Sequence, residues 1–148
     1  MRIRKAKKED LKEIYILVNK NIKYHKKFDK EKYGNLSKNN LKKYNENLKK
    51  SIKNKNSEIL IAENNKKIIG YIYGIAEKET GAIADIFVTT TSRDKGIGKI
   101  LIKRILAEFK KKKCKRAKVQ AYYKNNIAIK TYESQKFKKK NLILERRI

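Results

Sequence analysis

Proline and tryptophan are absent from this 148-residue sequence, and cysteine, histidine and methionine occur once each. The lone Cys114 has no second thiol in the chain, so no internal disulfide can form, as suits a reducing compartment. With His25 the only histidine, neither a pair of catalytic histidines nor a multi-histidine metal site is available, and no metal is expected. No apolar run approaches the roughly 20 residues that span a bilayer, and no leader-like segment is evident, so a cytoplasmic protein with no membrane partner is expected. Acidic residues are also scarce, with 15 Asp and Glu against 42 Lys and Arg and a net charge of +27. Such a balance commonly marks a polyanionic partner. Here, however, lysines run through every segment instead of forming a stripe, and Lys, Asn and Ile are over-used together, which reads as a chain-wide compositional bias. Nucleic acid is therefore expected only through non-specific charge. There is no internal repeat or low-complexity linker, and the length fits one domain over residues 1–148.

Hydrophobic periodicity lays out the elements. Met1 to Ala6 alternates like a short strand, and acids at Glu9 and Asp10 open a helix whose buried stripe is Leu11, Ile14, Val18 and Ile22. Asn35 to Ser37 breaks the pattern before a second helix with Leu41, Tyr44, Leu48 and Ile52 on one face. Residues 58–63 and 68–76 read as a hairpin turning at Asn64-Asn65, and a third strand ends at Val88. Ala117, Val119, Ala121 and Tyr123 alternate as a further strand, residues 125–134 form a short helix, and residues 137–148 supply a closing strand or hairpin.

Everything pivots on residues 82–101. Phe87 and Val88 close an apolar strand, Thr89 to Ser92 cannot continue it, and Ile97, Leu101 and Ile105 recur at helical spacing. The helix therefore starts near Gly96. Its first N–H groups lack intrahelical partners and its dipole is positive there, so a phosphate can approach once Gly96 and Gly98 remove the side chains. Arg93, Lys95 and Lys99 add charge at the same point, and a diphosphate is a natural guest. The spacing is neither the Walker pattern nor the three-glycine dinucleotide fingerprint.

Arg93-x-x-Gly96-x-Gly98 after a strand resembles the coenzyme A pyrophosphate motif of the GCN5-related N-acetyltransferase (GNAT) superfamily. The run from Asn125 through Ala128 and Tyr132 to Phe137 resembles the second signature of that family. The resemblance covers essentially the whole chain. It implies a single α/β (α+β) domain with a mixed, mostly antiparallel sheet of about six to seven strands, splayed at the cofactor site and flanked by about four helices. It also implies acetyl-coenzyme-A-dependent transfer of an acetyl group to a primary amine of a small molecule or of a peptide or protein. By the same resemblance Phe87 and Val88 offer backbone groups to the pantetheine arm, with the Val88 N–H as oxyanion donor. Arg93, Asp94, Lys95, Gly96, Ile97, Gly98 and Lys99 surround the pyrophosphate, Asn125 bonds the arm, and Tyr132 protonates the departing thiolate. Asn125 reads equally as a helix N-cap.

The general base is less determined. Asp85 is adjacent to the inward-facing positions and reaches the cleft only if a bulge re-aims it; otherwise it is a solvated surface acid. Glu77, Glu79 or water held by backbone carbonyls are the alternatives. Tyr24, His25, Phe28 and Tyr33 either shape substrate choice or seal the edge of a core. Three positions depart from the family pattern: Thr90 replaces a proline, and Asp94 and Lys136 replace glycines. The rival reading is a basic nucleic-acid-binding module on a catalytically degenerate fold, for which Tyr122-Tyr123-Lys124 is the stacking candidate. A homodimer paired through the 137–148 edge is left open by the resemblance.

Overall fold

The computed structural model describes residues 1–34 and 36–148, so the Asn35 part of the expected helix break lies outside the described residues. A short strand, β1 (Arg2–Lys5), leads through a 3-10 turn into α1 (Leu11–His25), a short α2 (Lys30–Gly34) and α3 (Lys38–Lys53). Strands β2 (Ser57–Asn64), β3 (Lys67–Glu77) and β4 (Thr80–Val88) follow, then α4 (Ile97–Lys111), β5 (Arg116–Val119) and α5 (Asn126–Ser134). Local chemistry sets these limits. Asp10 accepts the Lys7 N–H at 2.7 Å and the Arg4 guanidinium at 2.7 and 2.9 Å, fixing the approach to α1. The Arg4 hydrogen bonds also hold the Asp10 carboxyl below the ordinary carboxylate range. Ser37 caps α3 by accepting the Asn40 N–H at 3.2 Å. Asn65 and Lys66 both take positive φ, 47° and 61°, which gives the tight turn of the β2–β3 hairpin the twist of its strands.

The sheet has five strands in the order β1-β2-β3-β4-β5, antiparallel except for the β4–β5 pair, which α4 joins by crossover. Successive strand residues face opposite sides, so β2 sends Ile59 and Ile61 toward α1 and α3, and Leu60 and Ala62 toward α4. On the α4 side Gly81 and Gly74 admit the Phe109 ring, which an added Cβ at Gly81 would meet at 2.3 Å. This close approach seats α4, and with it the loop that precedes it.

Two expectations are corrected. Among the described residues there are five strands and five α-helices rather than six to seven and about four. Residues 138–148 form no element. Leu142, Ile143, Leu144 and Ile148 are exposed, so the apolar residues of this stretch find no face to bury. Phe137 does pack, its ring 5.7 Å from that of Tyr132.

Candidate active site

The sheet opens at the centre of the molecule. β5 pairs with β4 only from Thr80 to Ile83, so the β4 edge from Ala84 to Val88 has no neighbour on the β5 side while β3 still pairs its other edge. Free backbone donors and acceptors along one edge are what an extended, amide-bearing ligand can complete. The expected splay is present.

The open edge ends at the glycine loop. Gly96 caps α4 with φ 74°, and Ile97 is buried at 4% exposure, tying the first turn to the core. An added Cβ at Gly98 would meet nothing within 4 Å, and Gly98 has no positive φ, so neither packing nor backbone conformation within the chain requires glycine there. Its bareness instead suits an external group set close to the helix N-terminus. Lys95 and Lys99 are exposed around it. Asp94 is exposed with φ 60°, a left-handed region that glycine enters freely and Asp enters more readily than most residues. The Arg93 side chain does not join them. Its Nε donates to the Val88 carbonyl at 3.1 Å, and its guanidinium lies 4.5 Å from the Tyr24 ring centroid and 5.4 Å from that of Phe87.

A bulge decides the position of Asp85. Tyr73 pairs with Asp85 but Gly74 pairs with Ile83, leaving Ala84 as the extra residue. Ile83 accordingly packs on the α4 face whereas Phe87 joins the α1/α3 face, and Asp85 faces the same way as Phe87. There its Oδ1 accepts from Asn21 Nδ2 at 2.6 Å, and its Oδ2 from the Tyr44 hydroxyl at 2.9 Å and from the Tyr71 hydroxyl. The residue is partly accessible, and these three side chains hold its carboxylate in place. Burial pushes its pKa above the ordinary carboxylate value, while the hydrogen bonds from Tyr71 and Tyr44 and the charge of His25 oppose the shift. Burial also lowers the pKa of His25, with Asp85 pulling the other way.

Tyr132 comes from the opposite face. It is 8% exposed within the α4-side core, and its pKa is raised first by burial and then by the charge of Asp85, so the phenol keeps its proton at neutral pH. α5 ends in a Schellman motif that holds it. The Lys136 N–H bonds the Glu133 carbonyl at 2.9 Å and the Phe137 N–H bonds the Tyr132 carbonyl at 3.1 Å, with Lys136 at φ 67°. At its start, Asn125 is buried and caps α5, its side chain accepting the Ala128 N–H at 3.2 Å. The cap reading of Asn125 is therefore observed.

Asp85 and Tyr132 thus stand on opposite faces of the sheet. Glu77 and Glu79 stand at the other end of β4, where Glu79 pairs with Lys115 at 2.6 Å. Sequence reading missed Asn21, Tyr71 and the partnership of Tyr44 with Asp85. Asn21 did carry a signal, as a polar residue three beyond Val18 on the apolar stripe of α1.

A sheet parted beside the N-terminus of a crossover helix is the architecture of acetyltransferase domains, and solved structures bear this out. A mutant protein of Bacillus halodurans superposes with a TM-score of 0.86 at 21% identity, covering 100% of this chain and 99% of that one. The aminoglycoside antibiotic 6'-N-acetyltransferase AAC(6')-IG of Acinetobacter haemolyticus gives 0.74 at 19% identity over 100% and 99%. The aminoglycoside N-acetyltransferase AAC(6')-Iy, solved in complex with CoA, gives 0.74 at 16% identity over 99% of each chain. No curated protein sequence matches the chain. The family model of the acetyltransferase (GNAT) family matches residues 22–137, and the chain belongs to that family.

Proposed function

We propose that the protein transfers an acetyl group from acetyl-coenzyme A to a primary amine. The observation that carries this reading is the β4 edge left unpaired from Ala84 to Val88, which leads to the glycine-capped start of α4 where an added Cβ at Gly98 would meet nothing. The CoA-bound relative supports the choice of cofactor, as does the bare Gly98 beside Lys95 and Lys99. Acetyl-coenzyme A supplies a thioester whose carbonyl carbon an amine can attack, forming the C–N bond as the C–S bond breaks.

The residues of the chain do the rest. The N–H groups opening α4, from Ile97 through Lys99, together with the backbone of Arg93 to Gly96, hold the pyrophosphate. Phe87 and Val88 present backbone groups to the pantetheine amides, and Asn125 adds a side-chain contact. An acceptor amine of pKa about 10.4 arrives as ammonium, and freeing its lone pair near neutral pH costs roughly 4 kcal/mol. Asp85 takes that proton, and burial makes it the stronger base for the task. The Val88 N–H donates to the oxygen on which negative charge develops. Tyr132 gives its proton to the departing sulfur, and the second amine proton leaves to solvent. A chain of net charge +27 disfavours polycationic acceptors.

Calorimetric titration with acetyl-coenzyme A at about 0.15 M salt, where exposed charges are screened beyond roughly 8 Å, tests the reading. Saturable binding that survives an excess of ATP is expected, followed by amine-dependent thiol release. Binding that ATP abolishes, or none, would remove it.

A further inference from the structure

The transfer chemistry leaves an aromatic wall and a cation unused. Tyr24, His25, Phe28 and Tyr33 descend from α1 to α2, and Tyr122 meets them from the loop after β5, its ring 5.9 Å from Phe28 and stacked at 13°. Tyr122 is fixed by donating to Asp29 Oδ2 at 3.1 Å, and Asp29 Oδ1 in turn accepts the Lys32 N–H at 2.9 Å. The rings remain partly accessible, with Tyr24 also packed against the α1/α3 core. Tyr24 and Phe87 share the Arg93 guanidinium, so the wall adjoins the face of β4 that carries Asp85.

Arg93 ends this wall. It is half-buried between Tyr24 and Phe87 and spends one N–H on the Val88 carbonyl. Among the described residues no carboxylate meets its guanidinium, whereas Arg4 is held by Asp10 and Glu63 and Arg147 by Glu31. A planar fork with its terminal N–H groups unspent is the arrangement that receives a carboxylate bidentately. Asp85 and Phe87 are alternate residues on one face of β4, roughly 7 Å apart along the strand, and Arg93 lies against the Phe87 ring. Anion and cation thus serve the same face of β4, beside a wall of rings. Lys27, 4.1 Å from the Tyr24 centroid, and Lys32, 5.1 Å from that of Tyr33, set further positive charge about the same wall and repel acceptors carrying several amines.

We propose that the acceptor is an amino acid with an aromatic or large apolar side chain, acetylated on its α-amine. Its ammonium meets Asp85, its carboxylate meets Arg93, and its side chain lies against Tyr24, Phe28 and Tyr122. This rests on the transferase reading. It also gives the Arg93 side chain a function separate from the pyrophosphate, since it turns from the glycine loop toward the acceptor.

The test compares phenylalanine with phenylalaninamide, 2-phenylethylamine and alanine, by thiol release with acetyl-coenzyme A and by calorimetric binding without it. Phenylalanine should exceed each of the others in kcat/KM by at least about tenfold, the size of one charged hydrogen-bonded contact. In Arg93→Gln the ratio of acid to amide should collapse toward one. Taken within one variant, that ratio cancels any change in coenzyme binding. In Tyr122→Ala the ratio of phenylalanine to alanine should fall instead. Equal use of acid and amide by the wild type, or an unchanged ratio in Arg93→Gln, overturns the inference. So does acetyl-coenzyme A binding with none of the four acetylated, which leaves the transferase reading standing. If acetyl-coenzyme A does not bind, that reading fails, and calorimetric preference for phenylalanine over its amide alone decides whether the carboxylate site exists.

Discussion

The proposed cofactor wall comes mainly from one nearly continuous run, residues 87–99, whereas the proposed acceptor wall collects Asn21, Tyr24 and His25 from α1, Tyr44 from α3, Tyr71 from β3, Asp85 from β4 and Tyr122 from beyond β5. The first offers mainly backbone groups. Its chemistry needs only a strand end, a loop and a helix start in succession, all of which are local. The second offers side chains that meet only when three layers pack, and one of them turns inward only because Ala84 adds a residue to β4. The backbone wall is tolerant of side chains that point away from it, while the side-chain wall depends on the position of each member.

The largest expected effect breaks the side-chain wall. Asp85→Asn should lower kcat/KM by about a hundred- to ten-thousandfold, the range of a lost general base, with coenzyme A affinity unchanged. The wild-type profile should fall on the acid side as Asp85 gains its proton, above the ordinary carboxylate range because burial raises its pKa, and the variant should lack that limb. A retained rate at saturating acceptor, with the chemical step limiting, would return Asp85 to a structural part.

Next come two glycines with opposite reasons to be small. Gly81→Ala drives a Cβ into Phe109 and should cost roughly 1–3 kcal/mol of stability with little change in coenzyme A affinity. Gly98→Asp meets no protein atom and places an acid near a helix N-terminus, so thermal stability should hold or rise slightly. Its coenzyme A affinity should nonetheless drop about tenfold or more, or 1.4 kcal/mol, through crowding and repulsion of the diphosphate. Equal coenzyme affinity in that variant would separate the loop from the pyrophosphate.

The smallest effect is conformational. Lys136→Gly places the favoured residue at the left-handed position of the Schellman motif and should stabilise by about 1 kcal/mol, raising Tm by roughly 2–4 °C in a domain of this size. Because the motif steadies Tyr132, calorimetric melting and turnover should be measured together, and no gain in Tm would mean that the lysine is accommodated without strain.

Much of the frame was legible. The helix start at Gly96 and the α5 helix followed from patterns confined to short windows, the hairpin turn falls one residue beyond the expected Asn64-Asn65, and the splay followed from the family resemblance that two ordered motifs carry. The tail misled because Phe137, Leu142 and Leu144 look apolar enough for a strand, yet Leu142 and Leu144 are exposed and find no face to bury. Ala84 and Asp85 were ambiguous because alternation alone cannot say where an extra residue falls. Arg93 belonged to a motif by its sequence position, while its side chain took a direction that the motif does not encode.

The sequence by itself determined the elements, the order in which they alternate and the glycine-opened helix, because these depend on periodicity and on backbone preferences within a few residues. Only the tertiary structure decided that Asp85 would be held by Asn21, Tyr44 and Tyr71, and that Arg93 would lie among the rings and not over the glycine loop. Those outcomes depend on desolvation and on contacts between residues far apart in the chain, such as Asp85 with Asn21 and Arg93 with Tyr24, which exist only once the layers have closed.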